Sequence, residues 1–478
     1  MLIEVGDLSL GCDGVTKQER LYNAVREKIV KGLWPHGGRL PATRFLANEL
    51  SIGRNTVIVV YEQLQAEGYI TSRAGAGYYV CVSLPEYDFT QESKTKPTER
   101  PTLQKTSSGA FVPGVPDLTL FPLKLWQKYT SRYASGGLRM LTNRWQGNEL
   151  LRSALRTYLA TSRSVTCDAD QIIITNGAQH AITAILAHLK HEGYTFYHEQ
   201  PGYAQVSRAA SILNLDVHAC RVNEAKAWEL DDTIDSKEKS ALYITPSNQY
   251  PLGQCMSVEQ RYALLNLVGN DSLMLIEDDY DSEFQFDHQP FPSLQGLASS
   301  LGLQDNIFYI GSLSKVMFNG LRLGYIVCPK PLVSQLNEIL DALAGQACDS
   351  SQLALAHFIL DGHLQRHIRR MRRVYKEKRQ QMLRSIDSYF PQDVAVSSQN
   401  AGLHLTLRWN HALDEAILVD AARQSNLEVR ALSYYEIRRE RQRRPGVVMG
   451  FGNVETNQID AYILQLADIY KKLCADIG

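Results

Sequence analysis

The sequence has no pair of cysteines at C-x-x-C spacing, no long apolar run and no excess of charge of one sign. Its cysteines (Cys12, Cys81, Cys167, Cys220, Cys255, Cys328, Cys348 and Cys474) are scattered, which fits reduced thiols better than a disulfide framework or a zinc site. No stretch of about 18 uninterrupted apolar residues occurs, so no membrane span is expected. Met1-Leu2-Ile3-Glu4 lacks the basic and apolar regions of a signal peptide. A net charge of −1 leaves no global basic field, so any charge that meets nucleic acid must be local. Together these absences read as a soluble cytoplasmic protein. At 478 residues the chain exceeds one ordinary core, and two or three domains are expected.

Residues 84–107 carry Pro, Thr, Ser and charges with almost no aliphatics, and cannot bury enough surface to fold. This sets the expected organisation: a domain at 17–82, a flexible linker at 83–107 and a large domain at 108–478. In the front domain Leu21, Val25, Ile29 and Val30 recur at helical spacing. A short second helix is expected to bury Phe45, Leu46 and Leu50, and a third helix Val57, Val60 and Leu64. Two β-prone runs follow, around a turn containing Gly75 and Gly77. The large domain alternates strands with helices, as a mostly parallel sheet requires. Its strands are expected at Ile172–Thr175, Thr195–His198, Leu242–Thr245, Leu273–Glu277, Ile307–Ile310 and Gly324–Val327. Long helices and further strands at Leu403–Leu407 and Val447–Gly450 suggest a smaller appended lobe.

In the front domain a short helix, a tight turn and a second helix would place Arg54, Asn55 and Thr56 at a helix N-terminus, where side chains and free N–H groups meet base edges and phosphates. Arg39 and Arg44 are placed to hold phosphates, and Arg73 sits at the tip of the wing. Nine basic residues face five acidic ones between Lys17 and Val80, a local excess. A solvated basic face is the alternative reading. The segment resembles the GntR-type winged helix through Leu40-Pro41-x-x-Arg44-x-Leu46-Ala47, Arg54-x-Thr56-Val57, Tyr61-x-x-Leu64-x-x-Glu67-Gly68 and Gly75-x-Gly77. That resemblance implies a double-stranded DNA operator as partner.

In the large domain, Gly311-Ser312-Leu313-Ser314-Lys315 follows a buried strand, at the edge where α/β folds place ligands. A desolvated lysine amine there can condense with an aldehyde, with Ser312, Ser314 and Arg322 around a phosphate. Alone, such a lysine is more simply a surface residue. Asp278 also closes a buried strand and is suited to a pyridinium nitrogen, with Tyr280 near the ring's phenolic oxygen. Gly177, Ala178 and Gln179 open a helix that can take an anion, and Tyr203 offers a face for stacking. Each has a bland alternative as a turn, a cap or a packed tyrosine, but they fall on successive βα units.

Residues from about Phe111 to Gly452 resemble fold-type I aminotransferases. The wording is that of the MocR family (GabR-like): Gly114-x-Pro116-Asp117-x-x-x-Phe121-Pro122, Pro246-Ser247-Asn248-Gln249-Tyr250-Pro251-x-Gly253, Asp278-Asp279-Tyr280-Asp281-Ser282-Glu283-Phe284 and Ser314-Lys315. The resemblance implies a multi-domain chain, a winged helix-turn-helix followed by an α/β PLP-dependent transferase fold with large and small lobes. It implies a bacterial, nucleoid-associated homodimer that regulates transcription and senses pyridoxal 5'-phosphate (PLP), often with an amino compound. Lys315 would then form the internal aldimine (Schiff base), Asp278 would meet the pyridine nitrogen and Tyr280 the phenolic oxygen. Tyr203 would stack, and Gly177, Ala178, Gln179, Ser312, Ser314 and Arg322 would hold the phosphate. Two departures stand out. Tyr250 replaces an asparagine of true transaminases, and Gln205 replaces an arginine of the GABA-responsive member. An effector carboxylate would use Arg430 or Arg444 instead. An active aminotransferase with an accessory winged helix is the alternative, and residual turnover is compatible with either reading.

The run from His363 to Arg373 reads as an amphipathic helix with a basic outer face. No metal site is expected, because His363 and His367 lack a third ligand at matching spacing. A solvated face is the default for this run and a secondary DNA contact its alternative. The basic run Arg438–Arg444 reads as a loop.

Overall fold

The computed structural model describes residues 3, 16–81, 109–134, 145–222, 239–270, 273–287, 291–398, 401–437 and 444–477. The expected linker at 83–107 and Arg438 to Arg443 of the basic run lie outside the described residues. The chain divides into two compact units, Met1–Gln104 and Lys105–Gly478.

The first unit holds helices α1 (Lys17–Val30), α2 (Thr43–Glu49) and α3 (Arg54–Ala66), then a hairpin of β1 (Ile70–Arg73) and β2 (Gly77–Val80). Thr16 and Glu19 close a capping box at the start of α1, satisfying N–H groups that would otherwise be orphaned. Leu21, Val25 and Ile29 of α1 pack with Val57, Val60, Tyr61 and Leu64 of α3. The hairpin register pairs Ile70 with Val80, which places both in that core. Trp34 joins them from the loop after α1. The expectation for Phe45 fails. It is 57% exposed, while Leu46 and Ala47 are buried. A helix of seven residues has one narrow inner stripe, and Phe45 lies about 100° away from Leu46.

The second unit is built on a seven-stranded sheet of β3 (Ile172–Thr175), β4 (Thr195–Gln200), β5 (Val217–Arg221), β6 (Ser240–Ile244), β7 (Leu273–Asp279), β8 (Ile307–Ser312) and β9 (Gly324–Val327). The order is β3-β9-β8-β7-β6-β4-β5, and β9 alone runs antiparallel to its neighbours. The sequence reading missed β5, an edge strand with only Cys220 buried, so its pattern lacks an apolar run. Strand alternation divides the core. Phe196, Ile276, Phe308 and Ile310 pack on one face with α6 (Ala178–Glu192), α7 (Ala204–Ile212) and α10 (Val333–Ala344). On the other face Tyr197, Leu275 and Ile307 meet α8 (Val258–Asn270) and α9 (Leu294–Ser299). The helices α4 (Leu123–Ala134), α5 (Glu149–Arg163) and α11 (Asp349–Leu360) form a further layer.

The 27-residue helix α12 (His363–Tyr389) leads into the small lobe. There β10 (Ala395–Val396), β11 (His404–Arg408), β12 (Arg430–Ala431) and β13 (Gly446–Gly450) form an antiparallel sheet in the order β10-β11-β13-β12. The helices α13 (Glu415–Gln424) and α14 (Ile459–Ala475) pack with it. Among the described residues no helix is long and apolar enough to cross a membrane.

Candidate functional site

The C-terminal ends of the parallel strands converge on one cavity of about 360 Å³. Ala178 and Gln179 come from the β3–α6 turn, Tyr203 from the end of β4, and Thr245 and Tyr250 from beyond β6. Asp278, Tyr280 and Asp281 come from the end of β7, and Ser312, Ser314 and Lys315 from the end of β8. Arg322 closes one end. Leu403, His404, Arg430, Tyr434 and Tyr435 enter from the small lobe.

Strand alternation sorts the three carboxylates that end β7. Asp278 points into the cavity, while Glu277 and Asp279 point to the opposite face. Glu277 caps α9, accepting from the N–H groups of Leu294 and Gln295 at 2.9 Å each. Asp279 is held by Arg163 at 2.7 Å, Tyr309 at 2.5 Å and Ser282 at 2.9 Å. Only Asp278 keeps a free edge. Its Oδ2 accepts from the Tyr243 hydroxyl, and its buried Oδ1 has no hydrogen-bond partner. Burial pushes this carboxyl up to about 7, opposed by the Tyr243 bond and the nearby Lys315. A buried acceptor without a donor, facing a cavity, is suited to a ligand N–H, which is the chemistry a protonated pyridine nitrogen offers.

Lys315 faces the same cavity, partly buried. Burial pushes its ammonium pKa down, against pulls from Asp281 and Asp278. Its Nζ donates to the carbonyl of Gly114, a residue at φ +77°. Asp281 accepts twice from Asn248 Nδ2 at 3.0 Å, and burial raises it to about 8. Glu199 sits behind, accepting from the N–H and hydroxyl of Thr245 at 2.9 and 2.7 Å. His404 is held neutral by burial, with its pKa pushed down to about 4.

At the other end of the cavity the backbone makes an anion cradle. Gly177 caps α6 at φ +85° with no side chain over the free N–H groups, and an added Cβ would lie 3.5 Å from the Arg322 guanidinium. Arg322 is fixed by its bond to the Asn176 carbonyl at 2.9 Å, and Ser312 and Ser314 bond one another at 3.0 Å. Two hydroxyls, helix N–H groups and a guanidinium form a donor set that fits a phosphate.

Between these ends lies an aromatic cluster. Tyr250 meets Tyr203, Tyr280, Tyr435 and His404 edge-on, with ring centroids 5.0 to 5.9 Å apart. Its hydroxyl pairs with that of Tyr435 at 3.0 Å. The Tyr280 hydroxyl donates to the Asn248 carbonyl at 2.7 Å. Arg430 lies 4.8 Å over the ring of Tyr434 and lines the cavity, whereas Arg444 is exposed and does not. The sequence reading missed Tyr243, Asp281, Glu199, His404, Tyr434 and Tyr435. Asp281 lay inside the Asp278–Phe284 motif and Glu199 in the run Glu199-Gln200-Pro201-Gly202-Tyr203; the others gave no local signal.

In the first unit Arg54 and Asn55 are exposed at the start of α3, with Thr56 half-buried. Its cap residue Gly53 offers no side-chain acceptor, so N–H groups at that end stay available to a phosphate. Arg44 and Arg39 are exposed, and Arg73 stacks 4.5 Å over the ring of Tyr79 beside the wing tip.

Residues 115–444 match the family "Aminotransferase class I and II", and residues 17–80 match "Bacterial regulatory proteins, gntR family". The chain is 31% identical over 462 residues to the "Probable rhizopine catabolism regulatory protein MocR" of Rhizobium meliloti, covering 92% of this chain and 91% of that one. It is 27% identical over 455 residues to the "HTH-type pyridoxine biosynthesis transcriptional regulator PdxR" of Corynebacterium glutamicum, covering 94% and 95%. Among solved structures it resembles LysN, the alpha-aminoadipate aminotransferase of Thermus thermophilus, complexed with N-(5'-phosphopyridoxyl)-L-leucine. The TM-score is 0.69 at 22% identity, over 77% of this chain and 92% of that one. The kynurenine aminotransferase of Pyrococcus horikoshii, in complex with PMP, gives a TM-score of 0.68 at 19% identity over 77% and 92%. This structural likeness establishes the fold.

Proposed function

The chain belongs to the MocR-type regulators of the GntR family, and from that premise we propose that its second unit holds PLP at Lys315 and makes DNA binding answer to what is bound there. The chain is a DNA-binding transcriptional regulator, and its aminotransferase class I and II fold implies PLP as the cofactor.

When bound, PLP supplies an aldehyde that captures amines and a ring that withdraws electrons. The residues present fit that group. Burial of the Lys315 amine pushes its pKa down from the ordinary lysine value, which favours its use as a nucleophile toward the aldehyde. Asp278 gives its unpartnered Oδ1 to the ring nitrogen. Gly177, Ala178, Gln179, Ser312, Ser314 and Arg322 take the phosphate. Tyr203 covers one ring face, and Tyr280 turns from Asn248 toward the phenolic oxygen. Arg430, a cation in the cavity without an ion pair among the described residues, takes the carboxylate of an amino effector. Arg444 is exposed and less suited. A homodimer reading paired half-sites through Arg54, Asn55 and Thr56, with phosphates held by Arg39, Arg44 and Arg73, accounts for the reader.

The observation that carries this reading is that a desolvated lysine and an orphaned carboxylate oxygen face one cavity in a chain that also carries a winged helix. Efficient transamination is disfavoured, because the Tyr250 hydroxyl is engaged with Tyr435 where transaminases present an amide. An effector shifts operator binding only through unequal affinity for two states; a tenfold shift needs about 1.4 kcal/mol. The test is the visible absorption of the protein with PLP, titrated with amino compounds while DNA binding is followed. A band that one amine shifts, with a parallel change in DNA affinity, supports the reading. Absence of any band overturns it.

A further inference from the structure

We propose that the cavity continues past Tyr434 into a second subsite beside α7, suited to the distal acidic group of an amino dicarboxylate. This rests on the reading that an amino compound enters the PLP cavity. A groove of about 580 Å³ is lined by Ser207, Arg208 and Ser211 of α7, by Asn214 and Asp216 beyond it, and by Glu436. Tyr434 and Tyr435 line both this groove and the cofactor cavity, so the two spaces share these rings as a partition.

Helical periodicity sets the division. The helix α7 starts directly after Tyr203, and Tyr203 and Gln205 line the cavity. Ala204, Ser207, Arg208 and Ser211, at i, i+3, i+4 and i+7, put one face of the same helix on the groove. The Tyr435 hydroxyl is tied to Tyr250 at 3.0 Å, and its ring is buried. Tyr434 is half-buried, and its hydroxyl makes no hydrogen bond with a described residue, so it is the ring that can turn aside.

Two guanidiniums meet the Tyr434 ring, Arg430 at 4.8 Å and Arg208 at 4.9 Å from its centroid. Arg430 lines the cavity and Arg208 the groove. Neither makes an ion pair with a described residue. A ring face attracts a cation without neutralising it, so the two positive charges remain to repel one another. A carboxylate on Arg430 answers one of them, and a second acidic group on Arg208 answers the other. The groove also presents Asp216 and Glu436, so it is no general anion site; its positive end is at Tyr434.

The test uses the full-length protein with PLP and follows the visible band against two chain-matched pairs, glutamate with norvaline and 2-aminoadipate with norleucine. The wild type is expected to bind a dicarboxylate more tightly than its matched monocarboxylate. Arg208→Gln should weaken the dicarboxylate response roughly 10- to 100-fold, the worth of a charged hydrogen bond, and leave the monocarboxylates unchanged. Tyr434→Phe should keep the preference, because the ring face holds the arginines, and Tyr434→Ala should lose it. The PLP band and thermal stability should not change in Arg208→Gln, which separates the result from misfolding. No preference in the wild type, or a preference that survives Arg208→Gln, overturns the proposal. If PLP gives no band, the cofactor reading fails, and calorimetry with glutarate on the same protein decides the subsite. Glutarate binding that Arg208→Gln weakens then supports it, and absent or indifferent binding overturns it.

Discussion

Lys315 Nζ donates a hydrogen bond to the carbonyl of Gly114, joining this lysine to a segment 201 residues earlier in the chain. That segment is anchored on both sides. Ala110 pairs with Asn426 and Glu428 at 3.0 and 2.7 Å, and Asp117 pairs with Lys378 at 2.7 Å. The nitrogen that would engage PLP thus has a backbone partner at rest. Gly114 sits at φ +77°, and an added Cβ would fall 2.6 Å from Nζ. Gly114→Ala should therefore displace the lysine and strain the backbone, costing about 1–2 kcal/mol. Denaturant unfolding of the PLP-free protein would measure this, and an unchanged midpoint would contradict the arrangement.

Lys315→Ala removes the lysine amine that lines the cavity. The visible band and the response to amino compounds should vanish, while DNA binding and far-UV circular dichroism persist. A mutant that still answered to PLP in a DNA-binding assay would refute the mechanism.

Asp278→Asn tests the orphaned oxygen. Losing a charge-assisted hydrogen bond of about 1.5–3 kcal/mol should weaken PLP binding roughly 10- to 100-fold. The pH signature has a definite sign. The folded carboxyl titrates near 7 against 3.8 in its ordinary state, so the folded protein binds the extra proton in between. Stability of the PLP-free protein then falls as pH rises through that window. Glu199 and Asp281, both near 8, act in the same direction, so the substitution should flatten the fall only in part. Melting temperature against pH for the two proteins decides it.

Lys315 and Asp278 were legible because each closes a buried strand, and a strand end in a parallel sheet has one functional direction. Among the three adjacent acids the resemblance had already singled out Asp278, and alternation along β7 gives the physical reason that it, and neither neighbour, faces the cavity. His404, Tyr434 and Tyr435 were not legible, because the small lobe brings them from over 80 residues beyond Lys315. Tyr243 looked like one more apolar strand residue, yet its hydroxyl holds Asp278. Phe45 was misread because its apolar character predicts burial that a two-turn helix cannot supply.

Arg430→Gln should weaken the spectral response to an amino compound roughly 10- to 100-fold, the worth of a charged hydrogen bond. The band with PLP alone should not change, since Arg430 belongs to the small-lobe end of the cavity and Arg322 to the phosphate end. Arg444→Gln should do nothing. A reversed pattern would reassign the carboxylate site.

The buried pair Lys378 and Asp117 ties α12 to the segment that presents Gly114. Burial alone would raise Asp117, but the Lys378 ammonium and Thr119 hold it below its usual value. Lys378 Nζ also donates to the Gly452 carbonyl at 2.9 Å. Lys378→Met leaves a carboxylate without its cation and should cost about 3–5 kcal/mol. Adding Asp117→Asn removes the stranded charge, so the double variant should be more stable than Lys378→Met alone. The coupling also has a pH signature. A depressed carboxyl gives stability present above its unfolded pKa and lost as pH falls through the lower folded value. That acid-side loss should shrink in both variants. Additive effects in the double-mutant cycle would mean that the two residues act independently, and that α12 does not hold the Gly114 segment through this pair.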